Sequence, residues 1–251
     1  MRQFFKREDN KGLGKKGNTM KEKMMKLPTW DLLLKRILWT QIGEMEGKRV
    51  LDFGSGLGIT AEHYAKNNQV TAIEPSVESV TERWKEYEYE QIVGGIEELK
   101  KIDSESFDII FCHNVFEYAL EREEIVKEFY RVLKPGGILS VVKHNRPGRV
   151  MQMAVLLNDF ESAHSLLDGN DGMTSVFGAI HYYENEDIIK WCDKLSIKQV
   201  YGIRAFWDLQ QNQEIQKEED WQEKMIQLEI RVSQIDEYRA IAFFHHLVIE
   251  K

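Results

Sequence analysis

Short apolar runs alternate with amphipathic stretches along most of the chain. The runs are typical of buried strands, and the stretches between them carry apolar residues at helical spacing. Strands are predicted over residues 49–53, 69–73, 91–93, 107–112, 138–143, 197–203 and 238–249, and helices over 30–42, 59–66, 77–87, 121–133, 186–195 and 218–233. Near-continuous apolar strands that alternate with helices predict a doubly wound α/β fold.

The pattern loosens after Pro147, where residues 151–173 mix apolar side chains with Asn, Asp and Gly. We interpret about 149–180 as an insertion after the fifth strand, a position where insertions often line a substrate pocket. The length of 251 residues suits one large domain. We therefore expect a single domain over residues 27–251, preceded by a separate segment.

That first segment, residues 1–26, differs in charge from the rest of the chain. It holds nine Lys and Arg against three Asp and Glu, a local charge of 9 − 3 = +6, which leaves 25 − 39 = −14 for the remainder. A basic arm on an acidic body favours an anionic partner at one edge. The alternative is a solvated and partly disordered tail.

Composition excludes several classes of protein. A hydrophobic fraction of 42% with 30% charged residues is globular rather than disordered. No apolar run reaches the roughly 18 residues of a membrane span, and the N-terminus lacks a signal-peptide core, so we expect a cytoplasmic protein with no membrane partner. The two cysteines, Cys112 and Cys192, form no ligand motif, which argues against a metal site.

The most informative motif is VLDFGSGLGIT at residues 50–60. A buried strand that ends in glycines lets the backbone approach a ligand beyond the strand's carboxyl end. A dinucleotide-binding oxidoreductase would carry G-x-G-x-x-G, whose third glycine is replaced here by Ile59. The motif therefore indicates a nucleotide-binding turn of another type, D-x-G-x-G-x-G.

This motif resembles the first motif of the class I S-adenosylmethionine-dependent methyltransferases. The strand that ends in Glu74, the segment GGIEEL at 94–99, the strand FDIIFCH at 107–113 and the turn LKPGG at 133–137 match further family segments in the same order. The resemblance implies a Rossmann-like, seven-stranded sheet that is mostly parallel with an antiparallel last strand, and S-adenosyl-L-methionine as cofactor. The implied cofactor-binding residues are Asp52, Gly54, Ser55, Gly56, Gly58, Glu74, Pro75, Ile96, Glu97 and His113. Among them, Glu74 is expected at the ribose and Ile96 and Glu97 beside the adenine.

Four further segments resemble the bacterial tRNA 5-carboxymethoxyuridine methyltransferases, which esterify the carboxylate of a modified wobble uridine. They lie at residues 111–118, 143–148, 201–208 and 228–231. The family's cofactor-binding arginine in the first helix aligns near Leu34, which leaves Lys35 and Arg36 as its substitutes. The resemblance implies tRNA as a possible partner and His113 as a contact of the cofactor.

A carboxylate acceptor is already ionised at neutral pH, so its methylation needs a cation rather than a base. Arg204 is the first candidate because its fork can bind a carboxylate in two places. The alternative is an ion pair with Asp208. His144 and Asn145 are candidate substrate contacts, with loop-stabilising hydrogen bonds as the alternative, and His113, Arg204 and Asn145 form the predicted catalytic set.

Other side chains of the same segments have two interpretations. Asn114, Glu117 and Tyr118 follow His113 in the chain, and Phe206 and Trp207 suit either base stacking or core packing. His245 and His246 alternate across the last predicted strand, so at most one is expected to face inward, and neither is given a chemical role.

Three hypotheses of function remain open. The first is a methyltransferase that acts on modified tRNA, and the second is one that acts on a small carboxylate, amine or phenol held under the insertion. The third, from another class, is a non-catalytic regulator that binds S-adenosylmethionine. The sequence leaves the oligomeric state undetermined.

Overall fold

A seven-stranded sheet organises residues 27–174 and 178–251, which are the residues that the computed structural model describes. In chain order the strands are β1 (Arg49–Phe53), β2 (Gln69–Glu74), β3 (Glu90–Val93), β4 (Phe107–His113), β5 (Leu133–His144), β6 (Gly172–Thr174), β7 (Gly178–Ile180), β8 (Ser196–Ile203) and β9 (Phe244–Glu250). The main sheet has the order β3-β2-β1-β4-β5-β9-β8, and β6 and β7 form a separate hairpin.

Strands β1 to β5 are parallel, and β9 runs antiparallel to both β5 and β8. The predicted doubly wound, Rossmann-like sheet with an antiparallel last strand is therefore confirmed. Because β5 and β8 both oppose β9, their carboxyl ends lie at the same edge as those of β1, β2 and β4. The residues after these strands meet at that edge, which we call the carboxyl edge.

Ten α-helices are present in the described part of the chain. They are α1 (Thr29–Ile42), α2 (Ile59–Ala65), α3 (Val77–Glu82), α4 (Ile96–Leu99), α5 (Arg122–Val132), α6 (Arg146–Met151), α7 (Phe160–Leu167), α8 (Asp187–Trp191), α9 (Glu219–Val232) and α10 (Asp236–Ile241). Apolar residues of α5 and α8 pack on one face of the sheet, and those of α1 and α2 pack on the other. Both faces are covered, which is why the strands read as near-continuous apolar runs.

Four predicted elements differ in their bounds from the structure. The helix predicted over 186–195 is only Asp187–Trp191, and β5 begins at Leu133 instead of residue 138. The helix predicted over 77–87 ends at Glu82, because Trp84 turns inward and its backbone N–H donates to the carbonyl oxygen of Leu57 at 2.9 Å. The strand predicted over 238–249 begins only at Phe244, because residues 236–241 form α10 instead. Apolar residues in 238–249 suit either a buried strand or a short helix, and periodicity alone does not separate the two.

The segment predicted as an insertion folds against the carboxyl edge. It contains the second half of α6, a single π-helical turn at Gln152–Leu156, α7 and the β6–β7 hairpin. Arg146 connects α6 to the end of α7, because its guanidinium donates to the carbonyl oxygens of Leu166 and Asn170 at 3.2 and 2.6 Å. The predicted basic arm, residues 1–26, lies outside the described residues.

Candidate functional site

The glycine loop after β1 is held close to two neighbouring segments. Gly54 and Gly58 have φ values of 75° and 70°, which non-glycine residues rarely adopt. A Cβ at Gly54 would lie 2.3 Å from Cγ2 of Val115, and one at Gly58 would lie 2.3 Å from the hydroxyl of Tyr89. Glycine is therefore required at both positions by backbone conformation and by packing.

Gly56 differs from these two glycines because the space beside it is open. Its φ is 52°, and no described atom lies within 4 Å of a Cβ built there. Its N–H donates to Oε2 of Glu74 at 2.7 Å, while Oε1 of Glu74 accepts from Ser76 N–H at 2.9 Å. A carboxylate has about four lone-pair sites, so Glu74 anchors the loop and still has capacity for ligand hydroxyls.

Asp52 and Lys35 are the charged residues that contact the start of α2, next to the glycine loop. Oδ2 of Asp52 accepts from Ala61 N–H at 3.0 Å, and burial raises the pKa of Asp52 to about 6 against the opposing effect of Lys35. The ammonium of Lys35 donates to Oγ1 of Thr60 at 3.1 Å. Arg36, in contrast, pairs with Glu223 on the outer surface, so Lys35 is the basic residue of α1 that reaches the carboxyl edge.

The segment after β3 is arranged around the carboxylate of Glu97. Gly95 N–H donates to Oε1 of Glu97 at 2.8 Å, and the backbone N–H groups of Glu97 and Gly95 lower the pKa of this exposed carboxyl. Gly94 N–H donates to the carbonyl oxygen of Glu74 at 3.1 Å, which links this segment to the glycine loop. Ile96, half-buried, packs on the core.

The remaining predicted cofactor residues lie in the same region. Pro75 is exposed and directly follows Glu74, and the hydroxyl of Ser55 is buried without a hydrogen-bond partner among the described residues. An unpartnered buried hydroxyl, the open space at Gly56 and the spare capacity of Glu74 are what a polar ligand at this loop would satisfy. These residues therefore fit a nucleoside-type cofactor.

His113 ends β4 between the glycine loop and β5. Its Nε2 lies 2.9 Å from Oγ of Ser140, and burial together with Lys35 holds the pKa of His113 well below its usual value. Its Nδ1 is buried and has no hydrogen-bond partner in the part of the chain that the structure describes. The imidazole is therefore neutral, and its Nδ1 makes no hydrogen bond to the described residues.

Asn145 and Arg204 are engaged by neighbouring groups instead of standing free. The amide of Asn145 donates to the carbonyl oxygens of Ala240 and Ala242 at 3.0 and 2.8 Å. Both Nε and Nη2 of Arg204 donate to the carboxylate of Asp208, the Nε bond being 3.0 Å long. The alternative roles considered from sequence, loop stabilisation for Asn145 and an ion pair for Arg204, describe these contacts.

Burial completes the environment of Arg204. Its side chain is only 6% exposed, it has a φ of 64°, and its guanidinium carbon lies 4.7 Å from the ring centroid of Phe243. Trp207 is buried and packs on Trp221 at 5.0 Å between ring centroids, and Phe206 packs edge-on against Tyr238 at 5.3 Å. The two aromatic residues thus make core contacts.

Positive charge collects around His144 at the end of β5. Burial and the nearby charges of Arg149, Arg204 and Lys143 lower the pKa of His144 to about 3. Lys143 is only 3% exposed and its ammonium lies 4.7 Å from the ring centroid of Tyr183. Burial lowers the pKa of both Lys143 and Arg149, as expected for cations withdrawn from water.

The buried acid Glu117 lies beside His144 and binds its backbone. Oε1 of Glu117 accepts from His144 N–H at 2.6 Å, and burial raises the pKa of Glu117 to about 7. Glu117 was noted in the sequence only as a neighbour of His113, while Lys143, Arg149 and Ser140 received no role. Their signal is polarity within otherwise apolar segments, which becomes meaningful only when the strands are placed side by side.

Residues 27–174 and 178–251 contain neither a candidate membrane span nor a candidate metal site. None of the helices there combines the length and the apolarity that a bilayer crossing requires. Over the same ranges, no three or more His, Cys, Asp or Glu side chains are grouped in a way that could hold a metal ion.

Comparison with protein families identifies one segment of the chain. Residues 51–141 match a family model described as a methyltransferase domain. This segment begins at Leu51, contains the glycine loop, Glu74 and His113, and ends within β5. The match supports the predicted enzyme class, and together with the fold it implies S-adenosylmethionine as the cofactor.

Curated relatives share only part of their length with this chain. A ubiquinone biosynthesis O-methyltransferase of Alkalilimnicola ehrlichii is 32% identical over 123 residues, which cover 46% of this chain and 49% of that protein. A thiol S-methyltransferase of Rattus norvegicus is 30% identical over 122 residues, which cover 44% and 50%. The chain thus spans about half the length of the curated relatives that it matches.

Solved structures match over most of the chain. An S-adenosylmethionine-dependent methyltransferase from Mesorhizobium loti aligns with a TM-score of 0.54 and 12% identity over 91% of this chain and 100% of that one. A putative S-adenosylmethionine-dependent methyltransferase from Listeria monocytogenes aligns with a TM-score of 0.55 and 14% identity over 89% and 96%. At this identity the likeness concerns the fold.

Proposed function

We propose that this chain transfers the methyl group of S-adenosylmethionine to an oxygen atom of a small molecule that carries an anionic group. The observation that carries the proposal is the placement of two unlike sites at one edge of the sheet. The glycine loop with Glu74 fits the cofactor, and the cations around His144 stand at the neighbouring strand ends. The methyltransferase-domain match over 51–141 supports the reaction class.

On the cofactor side, each residue has a definite task. Glu74 accepts hydrogen bonds from the ribose hydroxyls, and the open space at Gly56 admits the ligand against the backbone. Lys35 offers a cation for the carboxylate of the amino-acid half, and Asp52 offers an anion near its amino group. The cofactor supplies a methyl group made electrophilic by the sulfonium, so the protein acts mainly by positioning and by excluding water.

On the acceptor side, Arg149 is the cation best placed to hold an anionic group. Its guanidinium donates to Gln152 and, at 3.4 Å, to the carbonyl oxygen of Met173. Neither partner is a carboxylate, whereas the guanidinium of Arg204 is paired with the carboxylate of Asp208. Arg204, bound to Asp208, adds to the positive field rather than gripping a ligand. The segment that carries Arg149 is proposed to cover the acceptor.

Binding and turnover test this proposal separately. S-adenosylmethionine should bind the purified protein in calorimetry, and Arg149→Lys should leave that affinity unchanged. Once an acceptor that the protein methylates is known, Arg149→Lys should raise the KM for that acceptor several-fold more than it lowers kcat. Absence of S-adenosylmethionine binding would remove the proposed function altogether.

A tRNA acceptor is the second candidate, favoured by the charge of +6 in residues 1–26 and by the four segments that resemble the carboxymethoxyuridine enzymes. Its test is a comparison of modified nucleosides in tRNA from the host and from a strain that lacks this gene. Disappearance of a methyl ester with accumulation of the free acid would establish this acceptor. An unchanged nucleoside profile would leave the small-molecule proposal.

A further inference from the structure

A chain of hydrogen bonds runs from His113 along one face of the sheet to the helix α1. His113 Nε2 lies 2.9 Å from Ser140 Oγ, Ser140 Oγ lies 2.9 Å from His246 Nε2, and His246 Nδ1 lies 2.8 Å from Gln41 Oε1. Ser140 and His246 are both fully buried. We call Ser140, His246 and Gln41 the relay.

The face of the sheet explains why these residues meet. Ser140 pairs with Phe111 in the register of β4 and β5, and His246 pairs with Val142 in the register of β5 and β9. Positions two apart in a strand share a face, so His113, Ser140 and His246 point to the same side, which α1 covers. The prediction that at most one of His245 and His246 faces inward is wrong, because both faces of the sheet are covered and both side chains are buried.

The relay has a direction that follows from its last member. The structure places the amide oxygen of Gln41 against Nδ1 of His246, and an amide oxygen only accepts hydrogen bonds, so in this arrangement Nδ1 carries the proton. Burial lowers the pKa of His246 to about 3, so the ring is neutral and its Nε2 is an acceptor. The hydroxyl of Ser140 therefore donates to His246, and its oxygen accepts from Nε2–H of His113.

This direction determines the tautomer of His113, which lies at the carboxyl edge. His113 is left with a proton on Nε2 and a lone pair on Nδ1, the nitrogen that has no partner among the described residues. A lone pair accepts a hydrogen bond from a hydroxyl but repels an ionised carboxylate. The tautomer of His113 thus selects between two acceptor classes.

We propose that the relay holds His113 in the Nε2–H tautomer, so that Nδ1 accepts a hydrogen bond from the hydroxyl group that is methylated. This inference rests on the proposed function and narrows its acceptor to a hydroxyl, such as a phenol, on a molecule with a separate anionic group. His113 contacts the reacting oxygen, and the relay residues are positioning residues.

The atoms and charges balance in such a step. The acceptor oxygen forms a bond to the methyl carbon, the carbon–sulfur bond breaks with its electron pair left on sulfur, and the hydroxyl proton passes to Nδ1 of His113. The positive charge of the sulfonium disappears as the imidazolium forms, so the net charge of the site is conserved. Ser140 remains the acceptor for Nε2–H throughout.

Nitrogen NMR of the histidine rings tests the relay without any acceptor. In protein labelled with ¹⁵N-histidine, His113 should show a protonated Nε2 and an unprotonated Nδ1, assigned by comparison with His113→Gln. Ser140→Ala should shift His113 toward a mixture of tautomers. The matched control is Ser106→Ala, which removes another buried serine, one whose hydroxyl bonds to Asp103 O. A protonated Nδ1 in the unaltered protein would overturn the proposal.

Turnover with two probes tests the acceptor class. 3,4-Dihydroxybenzoate offers hydroxyls beside a carboxylate, and phenoxyacetate offers a carboxylate only. We expect methylation of the first, with kcat reduced about tenfold in Ser140→Ala at unchanged KM and unchanged S-adenosylmethionine affinity, and partly restored in Ser140→Cys. Methylation of phenoxyacetate alone, or equal kcat in Ser140→Ala and the unaltered protein, would refute the inference. Failure to bind S-adenosylmethionine would instead refute the proposed function.

Discussion

The two halves of the carboxyl edge, which we propose bind the cofactor and the acceptor, differ in how far apart in the chain their hydrogen-bonded partners lie. In the cofactor half, which follows β1 to β3, carboxylates bind backbone N–H groups: Glu74 accepts from Gly56 and Ser76, and Asp52 from Ala61. In the acceptor half, which follows β5 and β8, carboxylates also bind backbone N–H groups, but from more distant segments. Glu117 accepts from His144, 27 positions away, and Glu229 accepts from Ala205, 24 positions away. The amide of Asn145 donates to the carbonyl oxygen of Ala242, 97 positions away.

The difference teaches which half is pre-formed by local sequence. Backbone N–H groups exist at every non-proline position, so glycines and acids that lie within 18 positions of one another can shape the cofactor loop. Partners in the acceptor half lie up to 97 positions apart, so remote segments must first arrive at one place. The acceptor half should therefore be the part whose stability depends most on pH and on single charged residues.

Gly56→Val should cause the largest effect in the cofactor half. The side chain would occupy the open space and strain a backbone held at φ 52°, so we expect at least a thousandfold loss of S-adenosylmethionine affinity in calorimetry, on the order of 4 kcal/mol. Gly136→Val is the matched control, because Gly136 also has a positive φ and open space but lies in the turn before the apolar part of β5. Equal binding by both variants would contradict the role of the loop.

Glu117 should make the acceptor half lose stability as pH rises. Its pKa is about 7 in the folded protein against an ordinary value of 4.5, so between these values the folded state keeps a proton that the unfolded chain releases. The free energy of unfolding then falls with rising pH, by on the order of 2–3 kcal/mol between pH 5 and 8. Glu117→Gln should abolish this contribution in urea titrations at a series of pH values.

The control for that titration is Glu123→Gln, which alters an exposed acid in the first turn of α5. Other titrating groups, including the buried histidines whose pKa values are lowered, contribute equally to both proteins and cancel in the difference. A stability difference between Glu117→Gln and the unaltered protein that stays constant from pH 5 to 8 would show that Glu117 does not hold its proton.

Glu74→Ala should weaken the cofactor half without unfolding it. The change removes the acceptor for two backbone N–H groups and for the proposed contact with the ribose hydroxyls, so we expect S-adenosylmethionine affinity to fall about tenfold to thirtyfold in calorimetry. Glu78→Ala, an exposed acid in α3, should leave the affinity unaltered. An unchanged dissociation constant in Glu74→Ala would remove the ribose role.

Arg204→Lys should give the smallest effect and should act on stability. A lysine cannot reproduce the two-point contact with Asp208, so we expect a loss of about 1–2 kcal/mol in urea unfolding with little change in S-adenosylmethionine affinity. Arg149→Lys is the comparison, expected to alter acceptor KM more than stability. If Arg204→Lys impaired acceptor binding and left stability intact, Arg204 would be the acceptor's partner as first expected from sequence.

Sequence determined the glycine loop and the strands of a mostly parallel sheet, because the information there is local. Strand periodicity, three alternating glycines and acids at strand ends are each contained within about ten residues. The tertiary structure alone decided the rest: that Lys35 rather than Arg36 reaches the edge, that the amide of Asn145 binds Ala240 and Ala242, and that Ser140 and His246 meet His113. These contacts join residues up to 205 positions apart, as Gln41 and His246 are, and no local pattern encodes such a meeting. Pairing of buried polar groups is a property of packed faces, so it appears only when the strands lie side by side.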